Sequence, residues 1–350
     1  VAVSIREVAK EANVSLSTVS KVLNGAADAK FAPATRERVL DAARRVGYHP
    51  NALARGLVRK RMDTLGVIMA YQQASVTSDP YLGPCLDGIL KVNKQRRQKT
   101  VIFTEDTWEE ALSHLPSYCD GHCDGLMLVI PRSDSEIVSA LKERPLPVVL
   151  VGDSREDEAL VTVDVDNVAG ARLAVEHLVA LGHRHIAAFR GNADFLSNDQ
   201  RLEGYRQGLE AAGLPLREEY IFPGEYWPDH GYRNARLMLE RFAGRPDRPT
   251  AVFCFNDGIA RGALEGFRDA GVRVPEQVSV IGFDDTPYAA SLEPPLTTIH
   301  HDIRKVGELA AKTLLERINR VVEPGHRAFV TAELVVRETT APPPPPGRSE

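Results

Sequence analysis

Four side chains near the start of the chain, Leu16, Ser17, Ser20 and Lys21, fall on one side of an expected short helix and stay exposed. Val19, Val22 and Leu23 repeat at helical spacing on the other side and can be buried. Other sets invite metal chemistry without sustaining it. Cys119-x3-Cys123 has His114 and His122 nearby, yet the spacing matches no common zinc site and no second Cys/His pair completes it. Cys85, Cys119, Cys123 and Cys254 therefore read as ordinary reduced thiols. His177, His183 and His185 sit around the end of an expected helix, where the last free carbonyls explain an imidazole better than a metal does. The chain has no G-x-G-x-x-G after a first strand, no G-x-x-x-x-G-K-[ST], no H-E-x-x-H and no G-x-S-x-G. No enzyme and no cofactor is expected.

The elements that must position the exposed face are marked by their ends. Ser15 is a good N-cap, and Asn24-Gly25 tolerates the left-handed backbone that stops a helix. Upstream, Ser4-Ile5-Arg6-Glu7 is a capping box that opens a helix with Ile5, Val8, Ala9 and Ala12 on one face. Asn13-Val14-Ser15 separates the two helices. A third is expected from Thr35 to about Val46, with Val39, Leu40, Ala43 and Val46 inward. This is the helix-turn-helix arrangement, whose second helix enters a DNA major groove. A small three-helix bundle that touches no nucleic acid fits the pattern equally well.

Charge separates the head from the rest. Residues 1–62 hold 12 Lys/Arg against 5 Asp/Glu, a net of +7, which leaves −12 for the remainder of a 350-residue chain of net charge −5. A basic head on an acidic body suits a head that meets phosphate. The chain is long enough for several domains, and 43% hydrophobic with 26% charged residues is ordinary for a globular protein. No signal peptide opens the chain and no apolar run is long enough to span a bilayer. A cytoplasmic protein with no membrane partner is expected. Residue 1 is Val, so an initiator Met or a short leader is absent from this sequence.

Gly47 and Pro50 end the third helix, and Asn51 can cap a fourth, very short one that contains Gly56 and has almost no apolar face. That linker, 51–62, is expected to order only when a partner holds it. From Leu65, apolar runs alternate with helical periods, as in parallel strands covered on both faces. Strands are expected at 65–69, 100–104, 125–130 and 147–151, with a helix from about Leu82 to Gln98. A second series starts near Asp164, with helices at 167–181, 200–212, 229–242 and 257–270 and strands at 185–189, 250–254 and 278–283. The expected fold is an N-terminal all-α helix-turn-helix head (1–50) plus an α/β body (63–341) of two doubly wound, Rossmann-like lobes. Lobe 1 is expected at about 63–163 and 293–325, lobe 2 at about 164–292 and 326–341. A Pro-rich tail, 342–350, is expected to be disordered.

With these residues placed, the chain resembles the lactose-repressor/galactose-repressor family of bacterial transcription regulators from about Val3 to Ala341. The matches in the head are Ile5-Arg6-Glu7-Val8-Ala9, Val14-Ser15, Thr18 to Asn24, Gly47-Tyr48 and Pro50 to Arg55. In the body they are Val165-Asp166-Asn167, Glu176-His177-Leu178, Leu181-Gly182-His183, Arg201 to Tyr205, Asn256-Asp257, Gly282 to Asp285 and Pro295 to Ile299. The resemblance implies two lobes of the periplasmic-binding-protein type. It places Leu16, Ser17, Ser20 and Lys21 on the reading helix: Lys21 would donate to guanine and Leu16 would cover a thymine methyl. Ser4 and Asn24 would touch phosphate. Asn51, Arg55 and Leu57 would belong to a hinge helix, with Leu57 as a wedge in the minor groove. Arg201, Asn256 and Asp284, with Tyr81, Asp153 and Tyr226, match effector-contacting positions and suit a polyhydroxylated ligand.

The loop from Gly25 to Ala34 is about two residues longer than is usual in the family, and Ala32 stands where a capping Ser is common. That departure puts phosphate contacts from the loop in doubt. The expectation is a homodimeric repressor that binds a double-stranded DNA operator under control of a small-molecule effector, a sugar by preference. The competing readings are a sugar-binding transport-type protein without a DNA role, and an activator of the same architecture.

Overall fold

The computed structural model describes residues 3–23, 31–49, 56, 59, 61–70 and 76–345. The chain divides into two compact units, Val1–Thr64 with Gly121–Asp124, and Leu65–Asp120 with Gly125–Glu350.

In the first unit α1 (Ile5–Ala12), α2 (Leu16–Leu23) and α3 (Pro33–Arg45) enclose a small core centred on Val8, Val19 and Val39, each fully buried. Glu7 accepts the Ser4 backbone N–H at 2.7 Å, and Ser15 Oγ accepts the Thr18 N–H at 3.1 Å. Asn13 takes a left-handed φ of 50°, which turns the chain between α1 and α2. The third helix starts two residues earlier than expected, because Pro33 at its first position already has a helical φ and needs no N–H partner. Its inward stripe is Val39, Ala42 and Ala43. Leu40, expected inside, is 42% exposed because it lies one residue, roughly 100° of helix, off that stripe. The short helix expected from Asn51 falls largely outside the described residues; Gly56 and Arg59 are helical.

The second unit contains two six-stranded sheets, ordered β11-β5-β4-β3-β1-β2 and β12-β10-β9-β8-β6-β7. The first holds β1 (Thr64–Ala70), β2 (Lys99–Glu105), β3 (Gly125–Val129), β4 (Val148–Val151), β5 (Thr162–Val165) and β11 (Arg327–Val330). The second holds β6 (Ile186–Phe189), β7 (Ile221–Phe222), β8 (Ala251–Cys254), β9 (Ser279–Asp284), β10 (Thr297–His300) and β12 (Glu333–Val335). Pairing runs parallel from β1 through β3, β4 and β5 to β11, and from β7 through β6, β8 and β9 to β10. β12 is antiparallel to β10. Each sheet has its own apolar core.

The lobe boundaries differ from those expected. All of β5 belongs to the first sheet, so the first series ends after Val165, not at 163. β10 lies in the second sheet, although 293–325 was expected in lobe 1. β11 lies in the first sheet, although 326–341 was expected in lobe 2. Strands of three or four residues carry too little pattern to reveal which sheet they join; pairing decides it. The chain thus crosses between lobes three times, at 165–167, 300–303 and 330–333. β2 also departs from the expectation of strands covered on both faces. It is an edge strand, and Val101 and Ile102 are exposed.

The last long helix, Ile303–Ile318, closes the first lobe against Leu82–Gln95. Contact is backbone to backbone. A Cβ on Gly307 would overlap the Cys85 carbonyl, and one on Gly88 would overlap the Arg304 carbonyl. Gly307→Ala is therefore expected to cost about 1–3 kcal/mol by overpacking, read as a lowered urea midpoint; an unchanged midpoint would show that the helices can separate freely.

The C-terminal segment is strapped to the second lobe by buried polar groups. His183, 1% exposed, meets Thr250 Oγ1 at 2.9 Å through Nδ1, and Ser279 Oγ at 3.1 Å and the Ala341 carbonyl at 2.9 Å through Nε2. Thr339 Oγ1 donates to the Val280 carbonyl at 2.6 Å and accepts the Thr297 N–H at 2.9 Å. The free-carbonyl explanation expected for His183 therefore gives way to a staple. Of the expected disordered tail, 346–350 lie outside the described residues, and Pro343 sits beside Gly182. Burial pushes the His183 imidazole down to about 4, against the pull of the Ala341 carbonyl. The unfolded chain then binds the extra proton first, so stability is full above about 6.5 and falls as pH drops toward 4. Urea unfolding at pH 7, 5.5 and 4.5 should show that loss, and His183→Asn should flatten it; equal slopes would remove His183 as the cause.

Candidate functional site

On the head, the exposed side of α2 carries Leu16, 45% exposed, with Ser17 and Lys21 also exposed and Ser20 half-buried. Ser4 is exposed at the start of α1. An apolar side chain this open, on the helix face that carries a lysine and two serines, serves no core. Asn24, Asn51, Arg55 and Leu57 lie outside the described residues.

In the body, a cavity of about 500 Å³ opens between the lobes at the carboxyl ends of the strands. Tyr81, Arg201, Tyr226, Asn256 and Asp284 line it, as expected. Arg201 comes from the helix Leu196–Ala211 and is 5% exposed. Its Nε donates to Asn167 Oδ1 at 2.9 Å, one terminal nitrogen donates to the Phe255 carbonyl, and the other meets Asp284 Oδ1 at 3.2 Å. The guanidinium also lies over the Phe283 ring, 3.7 Å from its centroid. A buried charge needs this much compensation.

Asp284 ends β9 with φ 109°, followed by Asp285 at 51°. Two consecutive non-glycine residues in this region of backbone space store strain at the cavity wall. His301 Nε2 approaches the same Asp284 oxygen at 3.2 Å. Asn256 is mostly a structural cap: Oδ1 accepts the Ile259 N–H at 2.8 Å and Nδ2 donates to the Tyr226 carbonyl at 3.2 Å. One lone pair and one N–H remain for a ligand. Tyr226 reaches Ser197 Oγ at 3.1 Å. Burial raises both the Tyr226 and the Tyr81 phenols above their ordinary value, so each is a neutral donor.

Asp153 is the exception. It does not line the cavity, and its carboxylate takes Arg155 through Nε at 3.0 Å and Nη2 at 2.6 Å. Its neighbour Gly152 reaches the wall instead. Asp164 was missed and does line the cavity. It accepts from its neighbour Val165 N–H at 2.8 Å and from Asn167 Nδ2 at 3.0 Å, and burial pushes its carboxyl up to about 7. Near neutral pH it can present a donor or an acceptor. A charge between Val163 and Val165, in a run otherwise buried, was the available signal. Trp227, Phe195 and Thr286 also line the cavity and carried no signal in the sequence. The site combines rings with paired carboxylate, amide and guanidinium groups, a set suited to vicinal hydroxyls.

Comparison with known proteins assigns both parts. Residues 4–51 match the model for bacterial regulatory proteins of the lacI family, and residues 175–340 match the periplasmic binding protein-like domain. The transcriptional regulator CelR of Thermobifida fusca is 33% identical over 339 residues, covering 96% of this chain and 98% of its own. Catabolite control protein A of Priestia megaterium is 32% identical over 320 residues, covering 91% and 93%. Among solved structures, the lac repressor dimer bound to operator and the anti-inducer ONPF superposes with a TM-score of 0.82 at 27% identity, covering 97% of this chain and all of that one. The CelR–cellobiose complex gives 0.73 at 31% identity, covering 96% and 99%. The chain belongs to the lacI family of bacterial regulatory proteins, DNA-binding transcriptional repressors that join a helix-turn-helix head to a periplasmic-binding-protein-like body.

Proposed function

We propose that this protein is an operator-binding repressor that acts in the cytoplasm as a homodimer, with no catalytic role and no cofactor. A neutral, polyhydroxylated ring compound bound between the lobes controls its affinity for DNA. The observation that carries the effector part is the Arg201–Asp284 pair, buried, multiply hydrogen-bonded and backed by strained backbone on a cavity wall. A structural ion pair needs no strained carboxylate and no adjoining space. A cavity of about 500 Å³ lies within the usual span of small-molecule sites, about 300–1,000 Å³. Because the relative CelR was solved with cellobiose, that disaccharide heads the compounds to test by calorimetry.

Leu16, Ser17, Ser20 and Lys21 read bases, while Ser4 and Asn24 hold phosphate. Asn51, Arg55 and Leu57 form the hinge contacts. Two heads occupy successive major grooves of a near-palindromic site. Effector binding changes the angle between the lobes and with it the spacing of the two hinges, so operator affinity changes by linkage.

Selection of an operator from random DNA, followed by anisotropy titration between about 50 and 200 mM salt, tests the DNA part; affinity should fall steeply with salt, and a flat response would refute it. Lys21→Ala should weaken specific binding by about 1–3 kcal/mol and relax base preference at one position. If preference is unchanged, Lys21 is only a phosphate contact. Asp284→Asn should abolish the effector response while operator affinity in the absence of effector stays within about threefold of wild type, roughly 0.6 kcal/mol. Undiminished effector affinity in calorimetry would displace the site from this cavity.

A further inference from the structure

Among the described residues, two polar contacts join the lobes outside the crossing segments themselves: the Ser154–Gln200 side-chain pair at 2.9 Å, beside the first crossing, and a clasp further out. Ser133, in the loop after β3, donates both its backbone N–H (2.8 Å) and its hydroxyl (2.9 Å) to the Asp194 carbonyl of the second lobe. Arg132 pairs with the Asp194 carboxylate at 3.2 Å. Asp194 is fixed from its own side, since its N–H donates to Asn192 Oδ1 at 2.7 Å. The next residue, Phe195, is part of the cavity wall.

The first-lobe half of this clasp is braced from below. Arg155 donates to the Arg132 carbonyl at 3.1 Å and to the Ser133 carbonyl at 3.4 Å. Asp153, 1% exposed, holds Arg155 by the side-chain bonds already described and also accepts its backbone N–H at 3.0 Å. Among the described residues, every hydrogen bond of the Asp153 carboxylate goes to this one residue. A buried carboxylate committed in this way orients a guanidinium, and the guanidinium in turn fixes two consecutive carbonyls. With its carbonyls held, the loop presents the Ser133 N–H and hydroxyl toward the other lobe.

We infer that Asp153, through Arg155, is a positioning residue that braces the Arg132–Ser133 loop as a latch on Asp194, and that this latch sets the balance between lobe angles and so the affinity for DNA. The inference rests on the reading above that lobe angle controls operator binding. It requires no contact between Asp153 and the effector. A latch that favours one lobe angle biases a two-state equilibrium, so breaking it shifts the populations whether or not effector is present.

The test uses the full-length protein and three disrupting variants, Asp153→Asn, Arg155→Met and the double variant, with Arg155→Lys as a conservative fourth. Hydrogen exchange at the Ser133 amide reports the latch. The Leu150 amide, which donates to the Val161 carbonyl at 2.9 Å inside the first lobe, reports whether that lobe is folded. Each single variant should speed Ser133 exchange at least tenfold with Leu150 unchanged, and the double variant should be no faster than either single. Operator affinity, measured without effector on duplex selected from random DNA, should shift at least threefold, in the same direction and by the same factor in all three. Arg155→Lys should restore part of both effects.

Unmoved Ser133 exchange would overturn the inference, as would additive effects of the two substitutions, which would mean that Asp153 acts by itself. Faster exchange with unmoved operator affinity would also overturn it, since the latch would then be structural only. If Leu150 exchange rises too in Asp153→Asn, the Arg155→Met and Arg155→Lys pair decides. None of these readouts uses an effector, so they stand apart from a misplaced effector cavity. A protein that retains no duplex would refute the DNA reading itself and with it the regulatory half of the inference.

Discussion

The body is organised around a charge that could not be buried alone. Arg201 sits where the second lobe faces the first, and each part of its guanidinium is accounted for: Asn167 at a crossing, the Phe255 carbonyl at the end of β8, Asp284 at the end of β9, and the Phe283 ring beneath. These partners come from separate segments that must converge for the ion to be tolerated at all. His301, on a second crossing, joins the same Asp284 oxygen. The pair therefore connects the cavity wall to two of the three segments that join the lobes. A ligand that competes for Asp284 or Arg201 acts on those segments directly, with no long path between site and hinge.

Much of this was legible in the sequence because it depends on local pattern. Ser15 and Asn13-Val14 mark the turn of the head, and the apolar spacing of Val8, Val19 and Val39 marks its core. Most body helices and strands were legible from their apolar periods to within a few residues. Arg201, Asn256 and Asp284 were legible from resemblance, and all three reach the cavity. What failed to show depends on pairing across long separations. The sheet membership of β10 and β11 is decided by neighbours far away in the chain. Asp153 and Asp164 are both acidic and eleven positions apart, and nothing local says that one turns to Arg155 while the other turns to the cavity. The side chain of Arg155 decides it, by taking up the whole of the nearer carboxylate.

Head and body solve opposite problems with the same residue types. On the head, Arg6, Lys10 and Lys21 are exposed on a small core, while Arg44 and Arg45 pair at the surface with Asp41 and Glu11. In the body, arginines are tied down against carboxylates, as at Arg155, Arg201, Arg327 and Arg337. Exposed cations suit a partner that supplies its own phosphates, whereas a buried one such as Arg201 gives a cavity wall fixed hydrogen-bond geometry. The overall acidity of the body fits this division, since it discourages duplex from settling anywhere but at the head.

The return of β11 to the first sheet has a consequence for how the molecule is made. The first lobe starts at residue 65, yet its sheet lacks an edge strand until residues 327–330 arrive, and the helix Ile303–Ile318 that covers its core is almost as late. During translation the second lobe, apart from the short β10 and β12, can therefore assemble on the ribosome while its predecessor waits half-built, with apolar surface uncovered. At elongation rates of about 5–20 residues per second, the delay lasts on the order of ten seconds or more. Nascent chains of this protein should for that interval be clients of whatever holds exposed strands apart in the cell.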